Sequence, residues 1–69
     1  MVEVFKTNVQ YVEQSVRLIS KLQQQFQELK ICFDLEDCDK ILRVEGAPIS
    51  VEGIILLLHT EGYECAILS

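Results

Sequence analysis

The sequence predicts an α+β domain whose elements follow the order β-α-β-β-α-β. Three observations predict this order: two segments with apolar residues at helical spacing, two central segments that alternate apolar and polar residues, and short β-branched or aromatic segments at both ends. Two helices with one apolar stripe each, and a sheet with one apolar face, bury these surfaces best as a two-layer sandwich.

The first strand is predicted at Met1–Thr7, which is rich in β-branched and aromatic residues. From about Gln10 the apolar residues recur at helical spacing, and Asn8 is the predicted N-cap of this helix. The pattern leaves open which face of the strand is buried, the one with Val2, Val4 and Lys6 or the one with Glu3, Phe5 and Thr7. The predicted buried stripe of the helix contains Val12, Ser15, Ile19, Leu22 and Phe26, with Val16 and Leu18 at its borders.

A β-hairpin is predicted in the middle of the chain. Apolar and polar residues alternate in Leu29–Leu35, the polar segment Glu36–Asp39 forms the turn, and Lys40–Glu45 is the returning strand. One register keeps the apolar residues together, and a shift by one residue would set apolar against polar side chains. That register pairs Leu35 with Lys40, Phe33 with Leu42, Ile31 with Val44 and Lys30 with Glu45.

A second helix and a last strand complete the chain. Ser50 is the predicted N-cap of the helix, Gly62 follows its end, and Gly53 within it indicates close packing against a neighbour. The predicted buried face of the helix consists of Val51, Ile54, Ile55 and Leu58. The last strand is predicted at Tyr63–Leu68, with Tyr63, Cys65 and Ile67 directed inward.

These elements predict the ferredoxin-like α+β arrangement, a four-stranded antiparallel sheet with both helices on one face. Its first and third strands are expected at the centre of the sheet. Residues 1–69 are predicted to form a single domain, close to the lower size limit for folding on a hydrophobic core alone.

Composition argues against several classes of function. The net charge of −5 disfavours nucleic-acid binding, because phosphate contacts need clustered Lys and Arg side chains. The longest apolar run, Ile54–Leu58, is far shorter than the roughly 20 residues that a bilayer requires. Glu3 and Lys6 interrupt the apolar N-terminus, which is therefore not expected to be a signal peptide. Three cysteines without a repeated spacing predict no disulfide framework, and hence a reduced, cytoplasmic location.

Three segments resemble a known family. They are Phe5–Asn8 (FKTN), Asp39–Glu45 (DKILRVE), and Ser50-x-Glu52 followed by Gly62-Tyr63. In this order and spacing the chain resembles, over nearly its whole length, a heavy-metal-associated (HMA) domain. That family comprises small copper chaperones and the cytosolic modules of metal-pumping ATPases. The resemblance implies the same ferredoxin-like fold.

The family binds copper(I) or zinc through a Cys-x-x-Cys motif at the start of the first helix, where the helix N-terminus lowers the thiol pKa. Aligning Asn8 with the family motif puts Tyr11 and Gln14 at the two cysteine positions. Neither side chain can replace a thiolate as a ligand for a soft metal, so no metal is expected at this loop. The family also places an aromatic residue beside the metal loop, which implies that Tyr63 packs near Tyr11.

Two interpretations remain open for the corner Thr7–Val16, where the first strand turns into the first helix. Either Tyr11, Glu13 and Gln14 form a recognition loop for a partner or small ligand, or the corner is ordinary surface left after a metal site was lost. The loop is expected to be lined by Asn8, Glu13 and Tyr63. The functional hypothesis is a binding or interaction module without a cofactor, which binds an unidentified protein or a second copy. Leu56 and Ile41 are the candidate interface residues outside the loop.

The alternative hypothesis is a copper or zinc protein that uses substitute ligands or a site shared between subunits. The candidate ligands are Cys32, Cys38, Cys65 and His59, whose predicted directions do not converge on one point. The acidic turn Glu36–Asp39 offers too few ligands for calcium. The chain contains one histidine and no glycine-rich phosphate loop, so an enzyme is not expected.

Overall fold

The computed structural model of the protein describes residues 1–68. Its elements are β1 (Val2–Thr7), α1 (Val12–Gln25), β2 (Lys30–Asp34), β3 (Ile41–Glu45), α2 (Val51–Thr60) and β4 (Cys65–Ile67). The strands form one antiparallel sheet in the order β2-β3-β1-β4. This arrangement confirms the predicted ferredoxin-like fold and the central position of the first and third strands.

The register of the β2–β3 hairpin agrees with the prediction. Phe33 lies opposite Leu42, Ile31 opposite Val44, and Lys30 opposite Glu45. The Glu45 carboxylate forms its ion pair with Arg43 on the same strand, at 3.1 Å, and not with Lys30 across the ladder. Burial of the apolar face therefore determines the register, and the Lys30–Glu45 attraction is a minor contribution.

The hydrophobic core lies between the sheet and the helices. Phe5 is completely buried, so the face of β1 with Val2, Val4 and Lys6 is directed away from the helices. We call this outer surface of the sheet the open face. The other completely buried large side chains are Leu18, Leu22, Leu42, Ile54, Leu58, Val9 and Val44.

The first helix differs from its prediction in start and orientation. It begins at Val12 with Tyr11 as N-cap, so the predicted start near Gln10 and the predicted N-cap Asn8 are wrong. The buried stripe is centred on Ser15, Leu18 and Leu22, whereas Val12, predicted inside, is 66% exposed. Val9, which precedes the helix, is completely buried and belongs to the core, which Val12 does not.

The strands are shorter than predicted at their ends. Lys40, predicted as the first residue of β3, has φ +49° and belongs to the turn. The last strand contains only Cys65–Ile67, and Tyr63 lies in the loop before it. Cys65 is buried as predicted, but Ile67 is 41% exposed because β4 is an edge strand that the helices cover incompletely. Between β2 and β3, the polar residues Glu36–Asp39 and the positive φ of Lys40 favour a turn, so the pairing of the two strands ends there.

The second helix begins and ends as predicted. The Ser50 side chain accepts a hydrogen bond from the Gly53 N–H at 3.2 Å. Glu61 is the last capping residue, and Gly62 follows it with φ +94°, a conformation that favours glycine. Among residues 1–68, no helix is both long enough and apolar enough to cross a membrane.

Gly53 packs as closely as its position in a helix suggested. A Cβ added there would lie 2.9 Å from Ser50 Oγ and 3.0 Å from Phe26 Cζ. We therefore expect Gly53→Ala to destabilise the protein by about 1 kcal/mol, although alanine favours helix by a similar amount. Urea unfolding measures the change, and Leu56→Ala on the exposed side of α2 is the control. A more stable Gly53→Ala variant would show that Phe26 is not held against this turn.

Candidate functional site

The loop between β1 and α1 is anchored at its first residues. The Thr7 hydroxyl donates to the Lys40 carbonyl at 2.6 Å and accepts from the Val9 N–H at 3.2 Å. The Thr7 N–H donates to the Asp39 carbonyl at 3.0 Å. Together with the buried Val9 side chain, these bonds fix the direction in which the chain enters α1.

Asn8 connects this loop to the loop before β4. Its side-chain Oδ1 accepts a hydrogen bond from the Glu64 N–H at 2.8 Å, 56 residues away in sequence. The neighbouring Tyr63 is half-buried against the core, and its N–H donates to the Leu58 carbonyl at 2.9 Å. The two loops at this end of the sheet therefore form one connected structure.

Gln14 has a structural role at the helix start. Its Oε1 accepts hydrogen bonds from the N–H groups of Gln10 and Tyr11, each at 3.2 Å. This is half of a capping box, since the Tyr11 side chain makes no capping bond. A glutamine three residues after the N-cap is the sequence signal for this motif. Sequence reasoning missed it because the N-cap was placed at Asn8.

The capping geometry changes what the loop can bind. Free amides at a helix N-terminus attract anions and stabilise thiolates. Here the Gln10 and Tyr11 amides are occupied by a neutral side-chain oxygen of the same loop. Glu13 is exposed in the first helical turn and adds a negative charge at this position. The Gln10 and Tyr11 amides are therefore satisfied within the loop by the Gln14 side chain.

Three large apolar side chains are exposed at this corner. Tyr11 is 59% exposed, Val12 66% and Val16 60%. Val12 and Val16 are one helical turn apart and therefore neighbours on one face of α1. We call Tyr11, Val12 and Val16 the corner surface. The remaining exposed residues of α1 are all polar or charged: Glu13, Arg17, Ser20, Lys21, Gln24 and Gln25.

Charge is divided unevenly between the open face and the rest of the molecule. Strand alternation puts three of the six basic residues on the open face, together with two of the eleven acidic residues. The remaining surface, which includes the corner surface, holds three basic and nine acidic residues. The open-face charges are Lys6, Lys30, Arg43, Asp34 and Glu45.

The predicted substitute metal ligands are spread over the molecule. Cys32 is exposed on the open face, Cys38 is exposed in the hairpin turn, and His59 is exposed on α2. Cys65 is buried. Among residues 1–68, three potential ligands converge in one place, where the side-chain atoms of Asp37, Cys38 and Asp39 lie within 4.8 Å of one another in the exposed turn.

Cys65 and His59 line the same groove, although their spacing gave no reason to expect it. The groove has a volume of about 430 Å³ and lies at the β4 edge of the sheet. Burial raises the pKa of the Cys65 thiol to about 11, so the thiol is protonated near neutral pH and is a poor nucleophile. The pair therefore lacks the thiolate that nucleophilic catalysis requires.

The shifted Cys65 pKa predicts a pH dependence of stability. The thiol ionises near 9.0 when unfolded and near 11 when folded, so the unfolded state loses its proton first and folding weakens as pH rises between these values. The loss is at most about 2–3 kcal/mol. Urea unfolding of the wild type and of Cys65→Ala at pH of about 8.5 and about 10.5 isolates this contribution from other groups. Equal pH dependence in both proteins would contradict it.

The two candidate interface residues outside the loop lie on different surfaces. Leu56 is 66% exposed on α2 and lines a groove of about 330 Å³ beside Lys21 and Gln25 of α1. Ile41 lies on the open face opposite Asp34 and is partly buried. These two residues therefore cannot belong to one continuous interface.

The fold and the corner together define a class: a ferredoxin-like α+β domain whose first loop is closed by a side chain and bordered by exposed apolar residues. No protein-family model matches the chain. No curated protein and no solved structure matches it either.

Proposed function

We propose that this protein is an interaction module that binds a protein partner through the corner surface. The main support is exposure: Val12 and Val16 are neighbours on one face of α1, Tyr11 directly precedes them at the helix start, and all three are 59–66% exposed. A contiguous apolar patch on a small domain is typical of a binding surface. Tyrosine is also among the residues that most often dominate binding energy at protein interfaces.

The surroundings of the patch favour a binding surface over ordinary surface that remained after a metal site was lost. Every other exposed residue of α1 is polar, so the apolar residues are confined to one end of one face. The helix does not use Val12 for its core contacts, because its buried stripe is formed by Ser15, Leu18 and Leu22. Serine or another polar residue would fit equally well at both valine positions if the surface had no partner.

The charge distribution indicates the chemistry of the partner. Outside the open face the molecule carries nine acidic and three basic residues, and Glu13 lies within the corner. Opposite charges around an interface accelerate association and favour the correct partner. We therefore propose a partner with an apolar centre and a basic rim. A second copy is a poor partner at this surface, because the two acidic sides would repel.

The ancestry and location of the module are part of the proposal. Descent from the HMA family is supported by the segments Phe5–Asn8, Asp39–Glu45 and Gly62-Tyr63 in their order along the same fold. A cytoplasmic location is supported by free thiols at the exposed Cys32 and Cys38. In this account, Gln14 replaced a metal-binding thiol and now holds the loop shape by capping it.

A peptide-display selection tests the proposal. Random peptides are selected on the wild type, and the number that still bind Val12→Ser and Leu56→Ser is then counted. The two variants alter side chains that are both 66% exposed. The proposal expects peptides with apolar and basic residues that are lost on Val12→Ser and retained on Leu56→Ser. Peptides that depend on Leu56, or that bind all three proteins equally, would contradict it.

A further inference from the structure

We propose that the free edge of β4 pairs with β4 of a second copy to form a continuous eight-stranded antiparallel sheet. This edge lies at one end of the sheet and is distinct from the corner surface. Because β4 is the last strand in the order β2-β3-β1-β4, it has no neighbouring strand on its outer side within residues 1–68. The inference does not depend on the proposed function.

The hydrogen-bond pattern shows which groups of β4 point outward. The Leu68 N–H donates to the Val4 carbonyl at 2.9 Å, and Ala66 lies opposite Lys6. Alternate residues of an antiparallel strand direct their N–H and C=O groups to opposite sides. Ala66 is therefore bonded to β1, and the backbone groups of Cys65 and Ile67 are directed away from the sheet.

The two ends of the sheet are protected differently. β2 carries the charged and exposed Lys30 and Asp34, and charges on an edge strand discourage pairing with another chain. The β4 sequence Cys-Ala-Ile contains no charge and no proline. Ile67, at 41% exposure, leaves apolar surface at the same edge. Of the two edges, β4 is therefore the one without charged side chains, although its three residues limit any pairing to a short ladder.

A second copy fits this edge because the edge is self-complementary. A two-fold axis through Ala66 sets Ala66 opposite the partner's Ala66, where small side chains permit the close approach of a non-hydrogen-bonded pair. It also sets Cys65 opposite the partner's Ile67, and Ile67 opposite the partner's Cys65. The outward N–H and C=O groups of these residues then form four hydrogen bonds across the axis.

The charged side chains nearest the axis do not oppose this arrangement. Lys6 and Glu64 line the same groove as Ala66, and both are exposed. With strands about 4.8 Å apart, the two Lys6 residues lie about 14 Å from each other at the Cα atoms. The Debye length is about 8–10 Å at ordinary ionic strength, so salt largely screens these charges, despite the net charge of −5 on each chain.

The pairing buries a small area, since β4 contains three residues. Interfaces below roughly 1,200 Å² support weak association, so the dimer is expected at high micromolar to millimolar concentration. In that range the amides of Cys65 and Ile67 become protected from hydrogen exchange as concentration rises. The Ala66 amide, already bonded to β1, keeps the same exchange rate.

Charge-swap variants at Ala66 test the proposal by sedimentation. Ala66→Lys and Ala66→Glu each set like charges face to face at the axis and are expected to raise the dissociation constant by roughly fivefold or more. An equimolar mixture of the two variants restores association. Val2→Lys, at a residue that is 49% exposed on β1, is the control and leaves the dissociation constant unchanged.

Three results would overturn the inference. One is a wild type that remains monomeric at roughly millimolar concentration. Another is a mixture of Ala66→Lys and Ala66→Glu that associates no better than either variant alone. The third is concentration-dependent exchange at amides other than Cys65 and Ile67. Circular dichroism on each variant establishes that the exposed Ala66 position tolerates the change without unfolding.

Discussion

Replacing both Val12 and Val16 by serine is expected to weaken binding of the selected peptides by roughly 30-fold or more, the effect of losing an interface hot spot. The reason is that the two side chains, 66% and 60% exposed in the free protein, lie one helical turn apart and form one apolar face at the start of α1. Burial of that face against a partner supplies the binding energy. Isothermal titration of one selected peptide into each variant measures the loss.

The same double variant should be almost as stable as the wild type. Surface changes away from caps and core usually alter stability by less than about 0.5 kcal/mol, and valine and serine have similar helix propensities. Leu56→Ser is the matched control, because Leu56 is as exposed as Val12 but lies on α2. Equal losses of affinity in the control and in the double variant would show that binding depends on general surface apolarity and not on the corner.

The second large effect concerns the proposed replacement of a Cys-x-x-Cys motif at Tyr11 and Gln14. The variant Tyr11→Cys/Gln14→Cys is expected to bind one copper(I) ion per chain, tighter than the unaltered loop by several orders of magnitude. Position 11 is the N-cap and position 14 is the third helical residue, so their side chains lie on the same side of the first turn. Removal of the Gln14 side chain also frees the Gln10 and Tyr11 amides, which then stabilise thiolates.

The background and control of this experiment follow from the positions of the other cysteines. Cys32→Ser and Cys38→Ser remove the exposed thiols from every variant, while Cys65 is buried. In the same background, Arg17→Cys/Gln24→Cys provides two exposed thiols about 10 Å apart along α1, too far to share one ion. Copper(I) titration against a competing chelator compares the affinities of the two double-cysteine variants. If both double variants bind copper(I) equally, the loop lacks the geometry of an HMA site, and the proposed descent fails.

Much of the fold could be predicted because its determinants are local or periodic. The β2–β3 register follows from the alternation of Ile31 and Phe33 with polar residues, and it matches the structure. Ser50 and Gly62 delimit α2 through short-range backbone chemistry. These signals act over a few residues and require no knowledge of the rest of the chain.

The corner was harder to predict because long-range contacts determine it. The pattern of α1 permitted a buried Val12, and only the tertiary structure shows that Val9 is buried and Val12 exposed. Asn8 is a good N-cap by propensity, but the Glu64 N–H, 56 residues away, takes its side chain. The helix then starts later, and Gln14 becomes the capping residue. The tertiary hydrogen bond of Asn8 is therefore a contact that local sequence propensity could not indicate.

The groove at β4 also depends on long-range packing that the sequence does not predict. His59 and Cys65 are close in sequence but separated by a helix end, and periodicity gave no reason to bring them together. Packing of α2 against β4 puts both on one groove, where burial raises the Cys65 pKa to about 11. The chemical consequence is a thiol that stays protonated, and this depends on burial that sequence alone does not specify.

Amide chemical-shift mapping of the wild type with one selected basic peptide shows most directly whether the corner surface binds. Perturbations are expected at Tyr11, Val12 and Val16, with binding that weakens as salt increases because the surface outside the open face carries an excess of acidic residues. Perturbations confined to the open face, or to the Leu56 groove between the helices, would contradict binding at the corner surface.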